Sequence, residues 1–443
     1  MLALALTACG PASKPAALGL PIYFTCDVDG RLEPCGCFTG QYGGLSRLKT
    51  VLDQEAPANA LRVDVGDAIG GHEDYDLIEF QYVLNAFAAL KYDALNIGQR
   101  EAHFPVAELQ KLKASSPVPM VSANLLDAST GKPVFDSYRI VERAGHHVAI
   151  LGVVDPRGME LGGGLRAGDM ESAIQRCLDE LRGKADAVVL LAFTDEATLS
   201  KLADEFYECQ VILGGKVTQP AQHLILQNRS VISYVTNESR ALGEVLVKIN
   251  PGAPVEAVSA IRLLVDTIPQ DAAINGLVQD YRKKVRFTKL AVDDPNHLSA
   301  DSVPGVRTGA TYVGTEKCIG CHKTAAAVWA SSAHSHAFAT LLQKSADADP
   351  KCVGCHTVGF GEPSGYRREF GSAKLVNVGC ESCHGPGSIH VAEKESGAAG
   401  RFTFRPLEAG DCLQCHHGEF SRPFKWEQFW PVIAHGKEAA GRQ

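Results

Sequence analysis

Cys318-Ile319-Gly320-Cys321-His322, Cys352-Val353-Gly354-Cys355-His356, Cys380-Glu381-Ser382-Cys383-His384 and Cys412-Leu413-Gln414-Cys415-His416 all fall in the last third of the chain. A Cys-x-x-Cys-His pentad attaches c-type haem: two thioethers hold the porphyrin and the histidine reaches the iron as proximal ligand. With 14 cysteines and 15 histidines in 443 residues, chance supplies roughly 0.01–0.02 such pentads. Paired Cys-x-x-Cys elements also build zinc ribbons, and cysteines form disulfides. Neither alternative explains a histidine directly after every second cysteine. The expected cofactors are therefore four c-type haems, attached at Cys318, Cys321, Cys352, Cys355, Cys380, Cys383, Cys412 and Cys415. The proximal ligands are His322, His356, His384 and His416.

Working outward, 443 residues are enough for two or three domains. A 45% hydrophobic and 21% charged composition is ordinary for globular protein. The formal charge of −8 argues against nucleic acid as a partner. Outside the pentads stand Cys9, Cys26, Cys35, Cys37, Cys177 and Cys209. All three tryptophans, Trp329, Trp426 and Trp430, lie beyond residue 311, which marks a compositional break.

At the N-terminus, Met1-Leu2-Ala3-Leu4-Ala5-Leu6-Thr7-Ala8-Cys9-Gly10 resembles the end of a bacterial lipoprotein signal, with Leu6-Thr7-Ala8-Cys9 as lipobox and Cys9 as lipid attachment. It departs from that pattern in lacking a basic n-region and in its short apolar stretch, defects that a start codon assigned too late would produce. The alternative is a frayed apolar terminus. Gly10 after the cysteine is similar to lipoproteins sorted to an outer membrane. No other stretch is long enough to span a bilayer, so lipid is the expected membrane anchor. Covalent haem implies an exported protein, periplasmic or associated with the outer membrane.

After this signal and tether (residues 1–19), short apolar runs alternate with helical patterns. Ile22–Thr25, Leu61–Val65, Ala94–Ile97, Val118–Ser122, Val148–Val154, Ala187–Ala192, Val211–Leu213 and Val245–Ile249 read as buried strands. Leu45–Gln54, Leu77–Leu90, Ser172–Leu181 and Ala197–Glu205 read as helices. The alternation predicts an α/β domain over residues 20–265. A helix over Asp271–Val292 and a polar linker occupy 266–311. Residues 312–443 form the haem domain, with about 33 residues per cofactor, too few for an apolar core. The porphyrins are expected to serve as that core, leaving the region unfolded without them.

Residues 20–265 resemble the 5′-nucleotidase-like (calcineurin-like) metallophosphoesterase family, which implies an αββα sandwich. The Asn-Asp-x-His-Gly signature stands as Cys26-Asp27-Val28-Asp29-Gly30, followed by Glu33-Pro34 and Gly43-Gly44-Leu45. Gly66-Asp67 is retained, Gly-Asn-His-Glu has become Gly98-Gln99-Arg100-Glu101, and Gly-His-x-His has become Gly215-Lys216-Val217-Thr218. In that family a two-metal site clamps the attacking and leaving oxygens. Here Asp29, Gln99, Arg100, Lys216 and Thr218 replace ligands or the phosphate-facing histidine, and Arg100 and Lys216 carry positive charge. No divalent metal is expected, and Asp27 and Asp67 are expected to pair with Arg100 or Lys216. Pro34-Cys35-Gly36-Cys37 resembles a segment of a nucleotidase-like subgroup in which some members carry selenocysteine, which implies redox use. Cys35, Cys37 and Cys26 are thus candidate redox thiols, with a structural disulfide or a metal site as alternatives. Cys177 and Cys209 read as buried thiols or one disulfide.

From Tyr312 the chain resembles the tetrahaem cytochrome c-554 family, in Thr315-Glu316-Lys317, Trp329-Ala330-Ser331-Ser332-Ala333-His334, Cys383-His384-Gly385-Pro386-Gly387-Ser388-Ile389-His390 and Trp430-Pro431-Val432-Ile433-Ala434-His435. This implies a mostly α-helical multihaem domain with little regular sheet. It also implies distal iron ligands at His334, His390 and His435, and one five-coordinate haem, by motif position that of His356. His336 and His417 are alternative caps. The expected function is electron transfer between redox protein partners, with the N-terminal domain as a docking or thiol-redox module. An oxidoreductase acting on a small ligand such as nitric oxide at an open haem, or at Cys35/Cys37, is the alternative. A phosphoester hydrolase with accessory haems ranks third.

Overall fold

Ala187–Phe193, seven consecutive apolar residues, is buried along its whole length, as a parallel strand covered on both faces must be. It lies in the middle of a six-stranded sheet in the order Ile225–Gln227, Ser230–Tyr234, Val211–Gly214, Ala187–Phe193, His146–Val154 and Tyr138–Arg143. A second sheet runs Glu256–Leu263, Ala241–Lys248, Leu20–Thr25, Leu61–Asp64, Ala94–Asn96 and Met120–Val121. In the first sheet the inner pairings are parallel and both edge pairings antiparallel; in the second, Leu20–Thr25, Leu61–Asp64, Ala94–Asn96 and Met120–Val121 pair in parallel, and Ala241–Lys248 pairs antiparallel with both its neighbours. The computed structural model describes residues 19–34, 41–236, 238–249, 255–294, 309–369, 372–397, 405–417 and 424–436.

Leu20, Ile22, Phe24, Leu61 and Val63 of one sheet share a buried cluster with Val148, Ile150, Val189, Leu191, Val211 and Leu213 of the other. Each fully buried side chain of this kind contributes roughly 1.5–3 kcal/mol. Asn96 crosses the interface and donates to Val65 O, Val153 O and Leu191 O. The far face of the first sheet packs on the helices Met170–Leu181 and Glu196–Glu205. Asp169 and Asp195 cap these helices by accepting from the amides of Ser172 and Thr198.

Every strand expected from an apolar run is present. The strands that the sequence reading passed over are mostly short or lie at edges. Glu256–Leu263 alternates exposed and half-buried residues, so no continuous apolar run announces it. The helix expected over Asp271–Val292 is shorter, Ala272–Arg286, followed by a 3-10 turn at Ala291–Asp293. Buried Arg368 explains the early stop: it donates to Val285 O and Thr288 O and pairs with buried Asp293. These bonds satisfy carbonyls that a longer helix would have used itself.

Contacts gather the chain into two units whose membership does not follow chain order. One runs to Val28 and continues through Leu52–Ala68 and Lys91–Leu263; the other comprises Asp29–Val51, Ile69–Leu90 and everything from Leu264. The second unit is helical, and its one β pairing among the described residues outside named strands is Thr357 with Val376. Its apolar cluster of Tyr312, Leu341, Ala346, Val353, Val358, Tyr366 and Leu375 surrounds the second pentad. The helices Lys323–Ser331, Ser388–Glu395 and Trp426–Ile433 contain no buried residue. Among the described residues the buried apolar cluster of this region thus lies at the second pentad.

That second-pentad helix, Pro350–His356, starts on an Asp349 cap with Pro350 in its first turn. Lys351 extends to Asp76 and Glu79 of the helix Asp74–Ala89, at 2.9 and 2.6 Å. Its ammonium fills space beside Gly30 and Gly70, where an added Cβ would lie 3.3 and 2.3 Å from it. Burial raises the Glu79 carboxyl to about 7 even against the pull of Lys351. Breaking one side of a largely buried pair leaves uncompensated charge, which costs about 3–5 kcal/mol. Lys351→Met is expected to lower unfolding stability by that amount in denaturant titrations, and adding Asp76→Asn and Glu79→Gln is expected to restore most of it.

Candidate functional site

Three of the four pentad histidines face a second histidine ring. His322 lies opposite His390 with centroids 6.0 Å apart, His416 opposite His334 at 6.0 Å, and His384 opposite His435 at 5.8 Å. Two metal–nitrogen bonds of about 2.0 Å plus the inner halves of two imidazole rings sum to about 6 Å. The donor set thus fits an iron between each pair. Among the described residues no histidine ring faces His356. Its Nδ1 lies 2.7 Å from Ala337 O, a contact that orients the ring and leaves Nε2 for a metal. His435 is oriented in the same way, with Nδ1 2.8 Å from Ile433 O.

The pentads are tied together by backbone-directed side chains. Glu381, the acid inside the third pentad, is buried and accepts from the amides of Val313, Gly314 and Gly387. Thr315, at the start of the first pentad's helix, accepts from Cys380 N at 3.2 Å. Thiols meet in pairs as a result: Cys318 with Cys380, and Cys355 with Cys415. The first pentad therefore neighbours the third, and the second neighbours the fourth. Gly314 must be glycine, since its φ is +92° and a Cβ would meet Lys374 O at 2.8 Å. Trp329 donates from its indole to Val378 O at 2.8 Å, and Trp426 stacks on Trp430 with centroids 4.5 Å apart. Phe424 and Phe429 flank the His416 ring.

In the α/β unit, Asp27 and Asp67 sit on loops just beyond strand ends, both in left-handed backbone conformation with φ of 54° and 57°. Arg100 joins them. Its guanidinium pairs with Asp27, donates to Asp67 O at 3.0 Å and lies 3.5 Å from the Asp67 carboxylate. Its own amide donates to Asp67 Oδ1 at 2.9 Å. Thr236 donates to Asp27, and Glu101 accepts from the amides of Asp67 and Gly98. Asp64, buried below, accepts from Thr25 and from Gly66 N. The roles of Thr236, Glu101 and Asp64 escaped the sequence reading; only Glu101 stood in a recognised signature.

Of the two cations expected at the aspartates, Arg100 is the one that reaches them; Lys216 donates to Arg157 O at 3.3 Å. Gln99 turns to Asp155 O and Arg157 O, Thr218 is exposed, and Asp29 pairs with Arg31. Cys26, a candidate redox thiol, is buried with its Sγ on Gly66 O and packed against Gly215. Burial and the charges of Asp64, Asp27 and Asp67 push its thiol well above the usual range, the opposite of an activated thiolate. Cys177 and Cys209 are buried free thiols, not a disulfide. Cys9, Cys35 and Cys37 lie outside the described residues. A two-metal centre does not fit: the retained carboxylates are engaged by a guanidinium, and among the described residues no group of three or more His, Cys, Asp or Glu is arranged to hold a metal.

Asp67 titrates upward to about 7, through burial first and Glu101 second, against the pull of Arg100. A carboxyl raised in the folded state contributes stability that is complete below its unfolded value near 3.9 and lost as pH climbs through about 7. Asp67→Asn removes this loss. The variant is expected to gain thermal stability relative to wild type as pH rises from about 4 to about 8, measured by calorimetry across that range. Native Cys26 is expected to resist maleimide at neutral pH and to react after unfolding.

The chain resembles known proteins in two separate stretches. Residues 317–385 match the family model described as cytochrome c554 and c-prime. Cytochrome c-554 of Nitrosomonas europaea is 41% identical over 106 residues, 20% of this chain and 45% of that protein. The 5′-nucleotidase of Vibrio cholerae is 29% identical over 188 residues, 40% of this chain and 33% of that protein. The chain therefore spans less than half of either relative. The 5′-nucleotidase precursor of Thermus thermophilus superposes with a TM-score of 0.52 at 21% identity, over 60% of this chain and 59% of its own. The protein joins an N-terminal region of 5′-nucleotidase, calcineurin-like phosphoesterase fold to a C-terminal region homologous to cytochrome c-554.

Proposed function

We propose that this protein is an exported multihaem c-type cytochrome that passes electrons between redox protein partners, with the phosphoesterase-like region as a docking module. The observation that carries the reading is the set of three histidine pairs at 5.8–6.0 Å, each joining a pentad histidine to one outside the pentads. In this assignment His322 with His390, His416 with His334, and His384 with His435 would each hold one haem iron, and His356 would hold a fourth. The haem, when bound, would supply one-electron redox chemistry. The residues set how it does so. Carbonyl contacts at His356 and His435 orient the rings and strengthen their donor character. Phe424 and Phe429 shield His416, and Trp329 is fixed by Val378.

The neighbouring first and third pentads, and second and fourth, favour short electron steps within each pair. Covalent haem attachment supports export, and among the described residues no helix is long and apolar enough to cross a membrane; a lipid on Cys9 is the anchor in this reading. Hydrolysis is disfavoured by Arg100 on Asp27 and Asp67. A second reading, an oxidoreductase acting on a small ligand, is favoured by the absence of a facing histidine at His356 among the described residues.

Low-temperature EPR of the oxidised holoprotein is expected to show three low-spin irons and one high-spin iron that responds to nitric oxide. Four low-spin irons would remove the open site. His390→Ala is expected to convert one low-spin signal to high-spin while mass spectrometry shows every haem still attached. Manganese-stimulated phosphatase activity would restore the hydrolase.

A further inference from the structure

The fold family implies a divalent cation where this chain has Asp27 and Asp67, yet the residues present fit a different ion. We propose that the Arg100 guanidinium is a built-in substitute for that cation, and that removing it opens a site for one divalent ion. Three observations converge on Arg100. Its side chain reaches both retained carboxylates, and its backbone amide binds Asp67 Oδ1, so guanidinium and amide grip the same aspartate. A planar guanidinium with five donors answers several carboxylate and carbonyl oxygens at once, as a lysine ammonium does less well. Thr236 and Glu101 hold the surrounding polar shell in place without supplying further positive charge.

The backbone points the same way. Asp27 and Asp67 both keep a left-handed φ, a conformation that costs of order 1–3 kcal/mol per residue and persists only where the surroundings enforce it. Asp27 N to Gly66 O at 2.9 Å and Asp67 N to Glu101 lock the two loops together. The loops thus present two carboxylates to one point, and the cation at that point is part of the chain. The exchange is incomplete in charge: the Asp27 and Asp67 carboxylates face a single guanidinium.

The test uses full-length holoprotein dialysed against about 1 mM manganese, the affinity range of weak carboxylate sites. Manganese per chain is counted by elemental analysis, and bound ion is separated from free by EPR. Wild type is expected to take up no manganese at this site, and Arg100→Ala about one ion per chain. Arg100→Ala with Asp67→Asn is expected to take up none. Arg100→Lys, which keeps a cation there, is also expected to take up none and carries the test should the alanine variant not fold. Manganese held by wild type and lost in Asp27→Asn, manganese bound by Arg100→Lys, or none bound by a folded Arg100→Ala, would overturn the proposal.

Discussion

Pairing of distant histidine rings is the constraint on which the C-terminal region turns: His322 faces His390, His416 faces His334 and His384 faces His435, with centroids 5.8–6.0 Å apart. The helices Lys323–Ser331, Ser388–Glu395 and Trp426–Ile433, which contain or lie close to His322, His390 and His435, contain no buried residue, although Trp426, Phe429, Trp430 and Ile433 are apolar. Glu381 and Thr315 fix how the third pentad sits on the first. Only the second pentad stands on a conventional apolar cluster, and it is the one whose histidine has no ring opposite it among the described residues.

Buried cations form a second theme. Arg100 holds Asp27 and Asp67, Lys351 holds Asp76 and Glu79, Arg282 holds Glu33, and Arg368 holds Asp293. Asp76, Glu79 and Asp293 would otherwise face low dielectric without a partner. In the α/β unit a guanidinium joins the two aspartates Asp27 and Asp67; in the helical unit an ammonium fastens the second-pentad helix to the helix Asp74–Ala89. Fold and site chemistry vary separately in this way, because a site's chemistry resides in a few side chains carried on the scaffold.

The pentads and the joining of a phosphoesterase-like region to a cytochrome c-554 region were legible from residues 318–416 and from the alternating apolar runs, because pentad motifs and strand burial leave local signatures. Edge strands such as Glu256–Leu263 were not, since half-exposed strands carry no apolar run. The helix from Ala272 was legible at its Asp271 cap but not at its end, which depends on Arg368 from far along the chain. Cys26 looked reactive beside basic residues; burial shields it and pushes its thiol up, away from the thiolate.

What the sequence determined alone was what is written into neighbouring residues: the Cys-x-x-Cys-His pentads of a c-type cytochrome region, strands from contiguous apolar residues, and altered signatures at Cys26–Gly30, Gly98–Glu101 and Gly215–Thr218. Tertiary structure decided which histidine faces which, that Arg100 and not Lys216 takes the aspartates, and that Lys351 reaches the helix Asp74–Ala89. These are pairings between residues far apart in the chain. They are fixed by burial, charge neutralisation and ligand spacing in three dimensions, none of which a local pattern encodes.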